Sequence, residues 1–88
     1  MLIPIYTGTF KKERKLMIKR GKDIRKLDAV MNLLVDDQPL PPQYNNHSLQ
    51  GNYKGKWECH IEPDWLLVYR KSGQELVFYR TGTHSDLF

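Results

Sequence analysis

The stretch Lys56–Arg80, KWECHIEPDWLLVYRKSGQELVFYR, decides the fold of this 88-residue chain. From Lys56 to Glu62 the apolar side chains of Trp57, Cys59 and Ile61 alternate with Glu58, His60 and Glu62. That period of two belongs to a strand with one buried face. Pro63 ends the strand, having no N–H for a ladder, and Asp64 sits in the turn. Trp65 to Arg70 is apolar on both faces, which predicts a central strand. Lys71, Ser72, Gly73 and Gln74 make a hairpin turn. Glu75 to Arg80 returns as the partner strand, with Leu76, Phe78 and Arg80 on one face and Val77 and Tyr79 on the other.

Working outward to the N-terminus, the period changes to that of a helix. Asp23 can cap a helix reaching Val35, in which Ile24, Leu27, Val30, Met31 and Leu34 form one apolar face. Before it, Thr9 is the expected N-cap of a helix from Phe10 to Arg20, with Phe10, Met17 and Leu16 facing inward and Gly21 as its stop. Lys11, Lys15 and Lys19 recur every fourth position and form a solvated stripe that could also grip RNA. A connection of one or two residues makes the two helices an antiparallel hairpin. Leu2 to Tyr6 is a short strand that Pro4 keeps at a sheet edge. Asp37 to Asn46, with three prolines, is a loop. The expectation is a single α+β domain over residues 1–88. An N-terminal strand and a helical hairpin precede a three-stranded antiparallel meander, the helices cover one face of the sheet, and the other face is free to bind.

Composition sets the boundaries. A chain of this length buries only about 60–65 % of its unfolded surface, so its core is thin. One cysteine, Cys59, allows no internal disulfide, and a reducing cytoplasm fits. No apolar run approaches the roughly 20 residues that span a bilayer, so no membrane partner is expected. The net charge is +4, and residues 11–26 carry nine basic side chains against Glu13 and Asp23. Such a half invites an acidic partner.

Chemistry gathers between His47 and Asp64. Burying an unpaired charge costs several kcal/mol, on the order implied by transfer scales, so His60 and Arg80 belong on the open face. If His47, Asp64 and His84 reach it too, the face carries three imidazoles, a carboxylate and nearby cations. Imidazole, with an ordinary pKa of about 6.5, can take or give a proton near neutrality. RNA suits such a cluster because its 2′-hydroxyl is an internal nucleophile. The protein then supplies a base, an acid for the leaving 5′-oxygen, and positive charge from Arg80 or a lysine for the phosphorane. Which imidazole is base and which acid stays open, as does a part for Asp64 as base or as orienting group. Taken singly, His47 and His60 also read as solvated surface histidines, and His84 as a tail residue. Spacings of thirteen and twenty-four residues between the histidines match no zinc motif. Neither a metal nor another cofactor is expected.

Three blocks carry a resemblance: L-x-G-x-Y-K-G at Leu49–Gly55, C-H-I-E-P-D-W-L-L-V-Y at Cys59–Tyr69, and R-T-G-T-H-S-D-L-F at Arg80–Phe88. In order and interval they resemble the YafQ branch of the RelE-type messenger-RNA interferases, toxins of bacterial type II toxin–antitoxin pairs. The resemblance implies a RelE/ParE-like fold and ribosome-dependent endoribonuclease activity on mRNA in the A site. It also implies neutralisation by a cognate antitoxin, with operator DNA bound only by the toxin–antitoxin complex. By it, His47, His60, Asp64 and His84 match the acid–base residues, Arg80 a basic position at the site, and Phe88 an aromatic that contacts the substrate base. Where relatives carry an arginine this chain has Trp57, so Lys54 or Lys56 is left to contact phosphate. The alternative is a non-catalytic ParE-like toxin that inhibits a protein such as gyrase. That function needs no histidine cluster.

Overall fold

The two periodicities become two layers in the computed structural model, which describes residues 1–88. A five-stranded sheet has the order β1-β5-β4-β3-β2, where β1 is Ile3–Tyr6, β2 His47–Ser48, β3 Trp57–Glu62, β4 Trp65–Ser72 and β5 Glu75–Gly82. β1 runs parallel to β5, and every other pair is antiparallel. The expected central strand is β4, whose residues Trp65 to Tyr69 are all buried. The expected edge strand is β1. A two-residue strand, β2, lies at the other edge, inside a stretch that gave no strand signal.

Helices α1 (Gly8–Lys19) and α2 (Ile24–Val35) cover one face. Phe10, Met17, Leu27 and Val30 meet Cys59, Trp65, Leu67 and Phe78 there, each no more than 1 % exposed. Burying a side chain of this size contributes about 1.5–3 kcal/mol, so this layer holds most of the stability. On the opposite face only Leu66, Val68 and Leu87 are buried together. Leu87 comes from the short helix α3 (His84–Leu87), which covers part of that face and leaves the rest open.

Asp23 caps α2 as expected, accepting from the Arg25 N–H. The start of α1 differs from expectation. Thr7, not Thr9, is the N-cap: its hydroxyl oxygen accepts from the Phe10 N–H and its hydroxyl donates to the Tyr79 carbonyl. The cap that also ties the helix to the sheet takes the position. Leu16, expected to face inward, is 38 % exposed, because the inner stripe passes through Met17. The connection between the helices is four residues, Arg20–Asp23, rather than one or two. The Gly21 N–H donates to Ile18 O and the Lys22 N–H to Met17 O. This Schellman ending requires the left-handed φ of +84° that Gly21 adopts.

Two β-bulges reverse strand parity. His60 pairs with Leu66, but Glu62, not Ile61, pairs with Trp65. Glu62 therefore turns towards the helices instead of sharing the face of His60, and Lys22 and Lys26 bind it at 3.1 and 2.9 Å. Likewise Phe78 pairs with Tyr69 and Arg80 with Val68, leaving Tyr79 as the extra residue. Simple alternation puts Arg80 on the face of Phe78; the bulge releases it to the open side.

Candidate active site

The antiparallel register of β2 and β3 sets His47 directly opposite Glu58. Two residues along β3, on the same face, stands His60. The turn after β3 presents Asp64, and α3 begins at His84. Three imidazoles thus form a row: the His47 and His60 ring centroids are 6.0 Å apart, and those of His60 and His84 are 5.7 Å apart. All four expected acid–base residues come together.

Each imidazole is oriented by hydrogen bonds that fix what its other nitrogen can do. His47 Nδ1 faces the Asn45 carbonyl at 2.8 Å, and its Nε2 faces Glu58 Oε2 at 3.0 Å. The two contacts together fix the orientation of the ring. His60 Nδ1 faces the Pro63 carbonyl at 3.4 Å, and its Nε2 lies 3.7 Å from Glu58 Oε2, beyond hydrogen-bond length. That nitrogen is free for a substrate atom. Asp64 Oδ1 accepts from the His84 backbone N–H at 2.9 Å and meets His84 Nδ1 at 2.5 Å, so Nε2 of His84 also points away from its partner. Those two bonds, the backbone one first, hold the Asp64 carboxyl below the usual carboxylate range. A carboxylate so stabilised is a poor proton acceptor, which fits Asp64 as an orienting group rather than a base.

Sequence reasoning passed over Glu58. Its side chain is 7 % exposed, lies beneath His47 and His60, and leaves Oε1 without a partner. The signal was present in the alternation, which set Glu58 on the face of His60. His47, Glu58 and His60 each offer a donor atom within 4.8 Å of the others. Two imidazoles and a carboxylate are a donor set that suits zinc or copper. Linear spacing hid this grouping, since strand register creates it.

The expected cations are less uniform. Arg80 forms a two-bond ion pair with Glu13, at 2.6 and 3.1 Å, and also donates to Tyr53 Oη and the Asp86 carbonyl. Glu13 and the other partners raise its already high pKa, so it stays charged. Lys56 has no carboxylate partner; its ammonium lies 4.2 Å from the Tyr79 ring centroid and 5.5 Å from that of Tyr53. Lys54 is exposed. Arg70, not singled out from the sequence, stands beside Gly55 without an ion pair, on the face of Leu66 and Val68. Phe88 is 62 % exposed and meets the Tyr53 ring edge-on at 5.4 Å. Trp57 faces away from His60 and lines a groove of about 280 Å³ with Leu2, Leu34, Tyr69 and Leu76. None of the imidazoles lines that groove. His60 instead borders an open cleft of about 310 Å³ with Gln43, Asn45 and Pro63. Cys59 is fully buried and its thiol is pushed up to about 12, by burial and then by Glu58, which removes it from the chemistry.

Residues 3–88 match the family described as the bacterial toxin of the type II toxin–antitoxin system, YafQ. The chain is 48 % identical over 84 residues to the mRNA interferase toxin YafQ of Escherichia coli K12, covering 94 % of this chain and 91 % of that one. The crystal structure of the E. coli DinJ-YafQ complex superposes with a TM-score of 0.94 at 45 % identity, covering 100 % of this chain and 99 % of the other. A metal-bound toxin from Helicobacter pylori does so with a TM-score of 0.92 at 42 % identity and full coverage of both chains.

Proposed function

The chain belongs to the YafQ family of bacterial type II toxins, and we propose on that premise that its histidine row cleaves mRNA by proton transfer around an attacking 2′-hydroxyl. It is an endoribonuclease of the mRNA-interferase class. The observation that carries the mechanism is the row itself, His47, His60 and His84 at 5.7–6.0 Å intervals with Glu58 and Asp64 hydrogen-bonded to its two ends.

His60, with Nδ1 directed at a carbonyl and Nε2 free, takes the 2′-hydroxyl proton. The alkoxide attacks the adjacent phosphorus, and the 5′-oxygen leaves with a proton from His84, whose imidazolium the Asp64 carboxylate stabilises. The products are a 2′,3′-cyclic phosphate and a 5′-hydroxyl. Two positioned imidazoles contribute on the order of 10²–10⁴-fold each. Glu58 supports the charge that His60 acquires and anchors His47. Arg80, Lys54 and Lys56 bind backbone phosphates and favour the phosphorane, and Phe88 stacks on a base. No metal or cofactor takes part, because the nucleophile is supplied by the substrate. DNA, which lacks the 2′-hydroxyl, is not cut.

In the cytoplasm the substrate is mRNA in the ribosomal A site, with the Lys11, Lys15 and Lys19 stripe against ribosomal RNA. A cognate antitoxin covers the basic or catalytic surface, and operator DNA is bound only through that complex. The gyrase-type alternative is not favoured, since inhibition by binding makes no use of an ordered imidazole row. The test is primer extension on a translated reporter and an untranslated copy, with the parent and His84→Ala. Discrete cuts in the translated message alone, lost in the variant, are expected. Growth arrest with intact messages would overturn the mechanism.

A further inference from the structure

One face of α1 carries Phe10, Glu13 and Met17 and continues in the exposed C-cap residue Arg20, at the i, i+3, i+7, i+10 spacing of one helix face. Its apolar members enter the core. Its charged members hold the segment that leads into His84. Glu13, 13 % exposed, binds Arg80 through both carboxylate oxygens and accepts from the Thr81 backbone N–H at 3.2 Å. One turn beyond Met17, Arg20 binds both oxygens of Asp86 at 2.7 and 3.2 Å. The strand end before His84 and the helix turn after it are thus gripped from the same helix.

We propose that Glu13 and Arg20 are positioning residues for cleavage, holding His84 against Asp64 and Phe88 against Tyr53 from the α1 side of the sheet. This rests on the reading of His84 as a cleavage residue. A four-residue helix has no stability of its own, so α3 exists only through its attachments. Asp86 is the hub of them. It accepts from the Thr83 N–H, and Thr83 Oγ1 accepts in return from the Asp86 N–H. Arg20 fixes the same carboxylate and, with those bonds, keeps it ionised well below the usual range. The close return of α3 is built into the backbone as well: a Cβ on Gly82 would lie 2.9 Å from Asp86 Oδ2 and 3.0 Å from Asp86 Cβ. Losing Arg20 frees α3 to shift, and His84 is its first residue. A misplacement of about 1 Å in a reacting group costs on the order of 10²-fold in rate.

The test compares parent, Arg20→Ala, Arg20→Lys, Glu13→Gln and His84→Ala in single-turnover cleavage of ribosome-bound message, together with urea unfolding and amide exchange. In Arg20→Ala the saturating rate should fall about 10- to 100-fold. The urea midpoint should stay near the parent, since so exposed an ion pair adds little global stability. Exchange of the Leu87 and Phe88 amides, which donate to Thr83 and His84 carbonyls, should speed up while β4 amides do not. Arg20→Lys should recover part of the rate, and Glu13→Gln should share the rate defect. A parental rate in Arg20→Ala beside an inactive His84→Ala overturns the positioning role alone. A rate loss explained by a matching loss of global stability also overturns it. Full cleavage by His84→Ala overturns the underlying reading, and this inference with it.

Discussion

Replacing Thr81 by valine tests how the Asp64–His84 pair is supported. Thr81 is 0 % exposed, and its hydroxyl oxygen accepts from the Trp65 indole N–H at 3.0 Å while its hydroxyl donates to the Leu66 carbonyl at 2.8 Å. Trp65 follows Asp64 in the chain, and Thr81 lies three residues before His84. The hydroxyl therefore ties the start of β4 to the end of β5, beneath the two residues that meet at the site. Valine keeps the volume, so no cavity opens, but the indole N–H is left buried without an acceptor. An orphaned donor costs about 1–3 kcal/mol and the lost carbonyl bond about 1 kcal/mol, which together make about 2–4 kcal/mol. In a domain of this size each kcal/mol moves the melting temperature by roughly 4–8 °C, so Thr81→Val should melt at least about 8 °C lower. Thermal unfolding followed by circular dichroism measures this, and urea unfolding should show a lower midpoint with an unchanged slope. Thr81→Ser retains the hydroxyl and should recover most of the loss. Melting of Thr81→Val within about 2 °C of the parent, or of Thr81→Ser as low as Thr81→Val, would refute the reasoning.

Other expectations follow from the same structure. Asp64, Glu62 and Asp86 all have carboxyls held below their ordinary values by hydrogen bonds and cations. Their stabilisation is fully present above the unfolded values, near about 4, and is lost as pH falls through the depressed ones. The urea midpoint should hold between about pH 7 and 5 and drop below about 4, less steeply in Asp86→Asn; a midpoint that rises on acidification contradicts this. Cys59, buried with its thiol pushed up to about 12, should resist alkylation in the folded protein and react in urea, as mass spectrometry would show. Zinc or copper ions should slow cleavage by occupying His47, Glu58 and His60, with chelator restoring the rate and Glu58→Gln weakening the inhibition. Inhibition that is unchanged in Glu58→Gln would place the metal elsewhere.

The elements whose signals are local were legible in the sequence. Asp23 with the apolar face of α2, and the doubly apolar run of β4, each announce themselves within a dozen residues. The face of Glu62 did not, because one extra residue in a strand reverses every side chain beyond it and leaves no mark on the hydrophobic pattern; Arg80 was assigned to the open face by the cost of burying its charge, against the alternation. The His47–Glu58 pairing was hidden for a related reason: a two-residue strand has too few positions to show a period, and its register is set by the neighbour it joins. The inner stripe of α1 was read only at Phe10 and Met17. Charged residues on that face look like plain surface until their partners appear, and for Glu13 and Arg20 those partners are Arg80 and Asp86.

The parallel pairing of β1 with β5 sets Ile3 beside Glu75, so the sheet closes between segments drawn from nearly opposite ends of the sequence. Contacts of such separation form late, since the entropy of closing the intervening loop must be met before they contribute anything. During synthesis β1 is made before the helices and the meander, and has no sheet to join until β5 follows. The Thr7 cap reaches Tyr79, and Glu13 and Arg20 reach Arg80 and Asp86, so the same delay applies to the contacts that α1 makes around His84. The row of three imidazoles is therefore complete only once β5 and α3 have been made.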